Sequence, residues 1–136
     1  DQPCGAINIP LGGTVTGTNV CSGSGGEPAN AAQCLAGGTV NTVWYSVTVP
    51  ASGSVKIRTQ PLTLTDTQIQ AYTFASGCSN AATTFTSQGC NNDGPACNGG
   101  FNTFSELSVS SLTPGSTLFI AVDGTGSLTG SFNICV

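Results

Sequence analysis

The side chains able to do chemistry are few: six carboxylates (Asp1, Glu27, Asp66, Asp93, Glu106 and Asp123), seven cysteines, two basic residues and no histidine. Without histidine there is no Ser-His-Asp or Cys-His relay, and the usual general base near neutral pH is missing. A glycosidase needs only two carboxylates at a set separation, but nothing around these six marks one as acid and another as nucleophile. The sequence reads as a non-enzyme.

Calcium chemistry is better served, because that ion takes about six to eight oxygens from carboxylates, amides, backbone carbonyls and water. The run Asn91-Asn92-Asp93-Gly94 offers three side-chain oxygens within three residues, and Gly94 lets the backbone fold around an ion. It lacks the pattern of an EF-hand. Asp66 precedes an apolar strand and Asp123 ends another. If those strands are antiparallel neighbours, both carboxylates fall at one end of the fold, and a shared ion would offset their repulsion. The expected Ca2+ ligands are Asp66, Asn91, Asp93 and Asp123. The competing reading is plain turn chemistry, in which Asn91 to Gly94 and Asp123-Gly124 cap their own backbone.

Aromatic faces suit the apolar faces of sugar rings. Trp44, Tyr45 and Tyr72 are considered for such a platform; strand alternation favours a core place for Tyr45 and puts Trp44 on the opposite face, either exposed or packed under a loop. In the long loop, Phe101 and Phe104 flank Asn102. The ligand-binding candidates are Trp44, Phe101 and Asn102.

The cysteines stand at 4, 21, 34, 78, 90, 97 and 135, with no C-x-x-C pair and no histidine to complete a mixed zinc site. Disulfides follow, and with them an oxidising compartment. Cys78 with Cys90 brackets a hairpin-sized excursion. Cys21 with Cys34 would staple a Gly-rich loop, and Cys4 with Cys135 would tie the terminal strands, leaving Cys97 over. Cys135 faces away from the core on its strand, which also fits a bridge to Cys97. An odd thiol must remain, available for an intermolecular link.

Bulk composition narrows the partners. Charged residues make up 6% of the chain and the net charge is -4; Lys56 and Arg58 cannot neutralise a nucleic-acid footprint or form a polybasic membrane patch. No apolar run approaches the ~18 residues of a membrane span, and the opening Asp-Gln-Pro is unlike a signal peptide, so a mature chain or an excised module is expected. A length of 136 residues suits one domain, 1–136.

Strand signals recur at short intervals between turn residues, which is the pattern of a sandwich or barrel. They cover Thr14–Val20, Val40–Val49, Ser54–Thr59, Thr67–Phe74, Thr83–Gln88, Phe104–Val109, Thr117–Val122 and Ser131–Cys135. Val43, Tyr45, Val47 and Val49 alternate with Trp44, Ser46 and Thr48, and Phe132 and Ile134 alternate with Asn133 and Cys135. Turns fall at 50–53, 113–115 and 123–126. Almost no helix is expected beyond a single turn within Pro28 to Leu35. The fold class is an all-β antiparallel sandwich, jelly-roll or CUB-like, of about eight strands stapled by disulfides.

Val43-Trp44-Tyr45-Ser46-Val47-Thr48-Val49-Pro50-Ala51-Ser52-Gly53, Asp66-Thr67-Gln68-Ile69-Gln70-Ala71-Tyr72, and Leu112-Thr113-Pro114-Gly115 leading to Phe119-Ile120-Ala121-Val122-Asp123-Gly124 carry a family resemblance, with Cys90-Asn91-Asn92-Asp93 and the closing Gly130-Ser131-Phe132-Asn133-Ile134-Cys135-Val136. Over residues 4 to 136 the chain resembles the accessory β-sandwich modules of large secreted bacterial proteins of Bacteroidetes type, and is similar to pre-peptidase C-terminal domains. More distantly it resembles CUB domains, where an Asp opening a central strand and an Asp in a late Asp-Gly turn help hold calcium; by position these are Asp66 and Asp123. The seventh cysteine and the 91–102 loop depart from CUB.

Both resemblances imply a non-catalytic, secreted or cell-surface module serving adhesion, ligand binding or attachment of an enzyme to substrate. The leading expectation is a calcium-stabilised module that contacts a surface glycan or polysaccharide. The second is a structural spacer, or self-assembling repeat of an adhesin or filament, whose partners are neighbouring modules of the same protein.

Overall fold

The computed structural model describes residues 2–23, 41–75, 85–94, 97 and 103–136. Among them are nine strands: β1 (Ile7–Asn8), β2 (Thr14–Thr18), β3 (Val43–Thr48), β4 (Val55–Pro61), β5 (Thr67–Phe74), β6 (Phe85–Asn91), β7 (Glu106–Val109), β8 (Thr117–Gly124) and β9 (Ser131–Cys135). They form a five-stranded sheet in the order β1-β3-β8-β5-β6 and a four-stranded sheet in the order β2-β9-β4-β7.

The inward residues are those that period-two alternation selects. Val43, Tyr45, Val47, Ile69, Ala71, Leu118, Ile120 and Val122 face Val55, Ile57, Leu107, Val109, Phe132 and Ile134 across the space between the sheets. Two strands match the sequence expectation to the residue, β5 and β9. One was missed: β1 is two residues long and runs parallel to β3, with Ile7 beside Tyr45, so the sandwich is not purely antiparallel. A bulge interrupts the β5–β6 register between Ala71 and Tyr72, and Gly89 takes it up at φ +129, a value that side-chain-bearing residues rarely adopt.

The described residues contain no α-helix, only short 3-10 turns at Pro3–Gly5 and Thr125–Ser127. None of their helices is long and apolar enough to cross a membrane. The single helical turn expected within Pro28 to Leu35 lies outside the described residues.

A buried hydroxyl network pins the sheets together near one end. Thr59 of β4 and Thr67 of β5 lie 2.6 Å apart through their hydroxyls, the Ser105 amide donates to Thr59 at 3.0 Å, and the Ser105 hydroxyl donates to the Thr67 carbonyl at 2.7 Å. Every member has a partner, so the network ties rather than strains the interior.

Asn19 does similar work beyond β2. Fully buried, it donates from Nδ2 to the Leu128 carbonyl at 2.9 Å and accepts the Gly130 amide at Oδ1 at 2.8 Å, fixing the β8–β9 connection. Asn19→Ala leaves both backbone groups unsatisfied, and a loss of about 3 kcal/mol is expected in urea unfolding. A loss under about 1 kcal/mol would show that water replaces the side chain.

The disulfide map corrects two expectations. Cys135 is bonded to Cys97, not to Cys4. The reason is topological: β1 follows Cys4 at the rim of the five-stranded sheet, whereas Cys135 projects from the outer face of β9, inside the other sheet. There the Cys97 amide donates to the Thr59 carbonyl at 3.2 Å, bringing the two cysteines to 6.4 Å between Cα atoms. Cys21 is a free, exposed thiol rather than the partner of Cys34; it occupies a left-handed backbone position, φ +65, just past β2. Cys4 and Cys90 are each disulfide-bonded. Cys34 and Cys78 lie outside the described residues.

Candidate functional site

Antiparallel pairing decides where the polar candidates meet. β5 lies against β8 with Gln68 opposite Asp123, and β6 lies against β5 with Asn91 opposite Ile69. Asp66, Asn91 to Gly94 and Asp123 therefore share one end of the sandwich, together with the Thr125–Ser127 turn. The neighbouring strands on which the sequence argument for Asp66 and Asp123 depended are present.

Gathering at one end is not convergence on one point. Asn91 turns its Oδ1 to accept the Glu106 backbone amide at 3.0 Å, a structural cap between β6 and β7. Asp93 is exposed. Asp123 is buried on the outer face of the five-stranded sheet, accepting the Asn41 amide at 3.2 and 3.3 Å and the Gly124 amide at 2.7 Å. No group of three His, Cys, Asp or Glu among the described residues could hold a metal. The four-ligand set Asp66, Asn91, Asp93 and Asp123 is thus not one site: local capping has claimed Asn91 and sheet geometry has moved Asp123 away.

What Asp66 meets instead is Thr125 and Asn92. The Thr125 hydroxyl is 2.9 Å from Asp66 Oδ1 and 2.8 Å from Asn92 Oδ1, and the Thr125 amide donates to the Asp66 carbonyl at 3.2 Å. A hydroxyl has one proton to give, so only one of its two close oxygens is satisfied by it. The other contact is relieved by turning the Asn92 amide end for end or by a positive charge among the three oxygens. A carboxylate, an amide carbonyl and a hydroxyl are a donor set calcium accepts, so the residues present fit that ion. Asn92 lay inside the sequence run that drew attention, but charge favoured its neighbour Asp93; Thr125 carried only a turn signal.

Electrostatics isolates this end. The basic residues Lys56 and Arg58 both grip Glu106 on the outer face of the four-stranded sheet, Lys56 at 3.1 Å and Arg58 in a closer contact. Hydrogen bonds from Arg58 and then Lys56 hold the Glu106 carboxyl below the usual glutamate range. The protein's whole complement of Lys and Arg is spent on one carboxylate, and no ion pair among the described residues reaches Asp66 or Asp93.

The aromatic candidates fare differently. Trp44 does lie opposite Tyr45, but it is only 1% exposed. It packs against Tyr72 and Phe85 at ring distances of 5.7 and 5.8 Å, within an outer-face apolar cluster that includes Phe74 and Phe119. Its role as a sugar platform is corrected accordingly: the outer face at Trp44 is covered. Tyr45 is core, as alternation required, and Phe104 is buried. Phe101 and Asn102 lie outside the described residues.

The architecture defines a class: a two-sheet, disulfide-bearing β-sandwich. The crystal structure at 1.0 Å of the pre-peptidase C-terminal domain of collagenase from Bacillus anthracis is similar over 99% of this chain and 97% of that one, with TM-score 0.54 and 11% sequence identity. The chain has a pre-peptidase C-terminal-like fold, as the strand motifs implied. No protein-family model matches the sequence, and no curated protein matches it.

Proposed function

We propose that this chain is a non-catalytic module of an exported protein, secreted or held at the cell surface, stabilised by calcium at one end and used to attach its parent protein to a surface glycan or polysaccharide. The observation that carries the reading is the Asp66–Asn92–Thr125 oxygen trio, set at an end where no lysine or arginine supplies positive charge. Calcium there would join the β4–β5, β6–β7 and β8–β9 connections, fixing the loops of that end for contact. Disulfides support an oxidising compartment, the fold likeness to an accessory domain of a collagenase supports a supporting rather than chemical part, and the low-charge surface rich in Thr, Ser and Asn suits hydroxyl-rich ligands.

Calcium at about 100 times its dissociation constant is expected to add about 2.7 kcal/mol to the unfolding free energy, and Asp66→Asn to remove that gain while leaving the stability in EDTA nearly unchanged. Identical melting curves in calcium and EDTA would sink the calcium part. A glycan array probed in both conditions tests the ligand; silence in both would remove the glycan.

The exposed free thiol of Cys21 favours the second reading, a spacer or assembling repeat. A dimer that appears on non-reducing gels and disappears in Cys21→Ser would support it.

A further inference from the structure

Three buried side chains form a row across the five-stranded sheet, next to the trio but separate from it. Asp123 of β8 pairs with Gln68 of β5, and the Asn41 amide that binds the Asp123 carboxylate leads into Thr42, two residues before Trp44. Trp44 pairs with Ala121 and Ala121 with Gln70, so alternation puts Thr42, Asp123 and Gln68 one step along the same outer face. Thr42 is 0% and Gln68 2% exposed, yet the Thr42 hydroxyl and the Gln68 carbonyl oxygen have no hydrogen-bond partner. Two orphaned oxygens beside a carboxylate is a costly arrangement, since each buried polar atom left unpaired forfeits its hydration.

We infer that Thr42 Oγ1, Asp123 and Gln68 Oε1 form a second, buried site for a hard divalent cation of the calcium type. A cation satisfies both orphaned oxygens at once and balances the charge of the Asp123 carboxylate, which already accepts the Asn41 and Gly124 amides. The donor set, one carboxylate with neutral oxygens, is one that calcium tolerates. Its place also joins three neighbouring strands at one end of the sandwich: Thr42 immediately precedes β3, Asp123 lies in β8 and Gln68 in β5. The site does not depend on the Asp66 trio, and its test fails separately.

Terbium, a luminescent stand-in for calcium, provides that test, because its emission is sensitised by a nearby indole and Trp44 is the chain's single tryptophan. Two residues along a strand put Trp44 about 7 Å from Thr42, whereas Asp66, four residues along and two strands across, is roughly 16 Å away. Chelator-treated protein titrated with terbium is expected to show emission on excitation of Trp44, displaced by calcium, retained in Asp66→Asn and lost in Gln68→Leu and Thr42→Val. Calorimetry should count one calcium fewer in the latter pair. Gln68→Glu keeps the shape, adds a ligand charge and is expected to tighten calcium binding roughly tenfold. Emission unchanged in Gln68→Leu and Thr42→Val, or lost only in Asp66→Asn, overturns the site. So does a Gln68→Glu variant that is destabilised and unresponsive to calcium, which would mean that the Gln68 amide nitrogen faces Asp123.

Discussion

Gly17→Ala is expected to cost about 3 kcal/mol or more, an unusual penalty for one methyl group on a rim strand. Val15 and Gly17 are the inward positions of β2, and the Tyr45 ring crosses the core from β3, edge-on to Phe132 at 6.1 Å, until its hydroxyl rests against Gly17. A Cβ at 17 would overlap the Tyr45 oxygen outright, with Tyr45 Cζ at 3.1 Å and Phe132 Cζ at 3.3 Å. Tyr45 is fully buried and has nowhere to retreat. Removing the oxygen relieves the overlap, so Tyr45→Phe in the Gly17→Ala background should restore most of the loss. A coupling energy of about 2 kcal/mol in the double-mutant cycle is the expected signature; independent, additive effects would show that the ring does not sit there.

The same hydroxyl has a pH consequence. It is buried without a hydrogen-bond partner, and burial pushes its phenol up from the ordinary tyrosine value of 10.0 to about 12. The folded state therefore keeps the proton that the unfolded chain gives up near pH 10. Stability from this group is complete below that pH and is lost as pH rises toward 12. Tyr45→Phe alone should be neutral or stabilising at pH 7 and should flatten the alkaline loss.

Cutting the Cys97–Cys135 bridge should be at least as damaging. The bond spans 38 residues of sequence, and in the chain-entropy account closure of such a loop is worth about 4 kcal/mol. Cys97→Ala/Cys135→Ala should lower the melting temperature by roughly 15 °C. Because Cys97 tethers the chain between Asn92 and Phe104 to the outer face of β4 and β9, the same variant should also bind calcium more weakly at the Asp66 trio. A shift of only a few degrees, or a non-reducing peptide map without the Cys97–Cys135 pair, would refute the bridge.

The main strands were legible because alternation is a local property: Val55, Ile57 and Thr59 point inward while Lys56 and Arg58 point outward, and no distant contact is needed to see it. β1 was not, because two residues cannot show a period and its parallel pairing is decided by β3. Trp44 marks the same boundary. Its face could be read from Tyr45, but whether that face is covered depends on aromatic residues of β5, β6 and β8. The candidate site was half legible. Asp66 and the Asn91–Gly94 run were found by type, but the choice of Asn92 over Asn91 is made by the Glu106 amide, and Thr125 enters through a contact spanning 59 residues. Cysteine pairing was legible in part: the outward face of Cys135 allowed the bridge to Cys97 that is present, whereas the short spacing that suggested Cys21 with Cys34 misled, since Cys21 is free.

β9 lies between β2 and β4, and every strand of its sheet except β7 is bonded to it. Thr16 waits for Asn133, 117 residues later. During synthesis, β2 emerges early and has no neighbour in its sheet until β9 arrives, while β4 has only β7 beside it until then. Such long-range closure is slow, on the order of milliseconds to seconds, and until then the four-stranded sheet is incomplete. Cys135 arrives with β9, so oxidation of its bridge and completion of the sheet belong to the same late event.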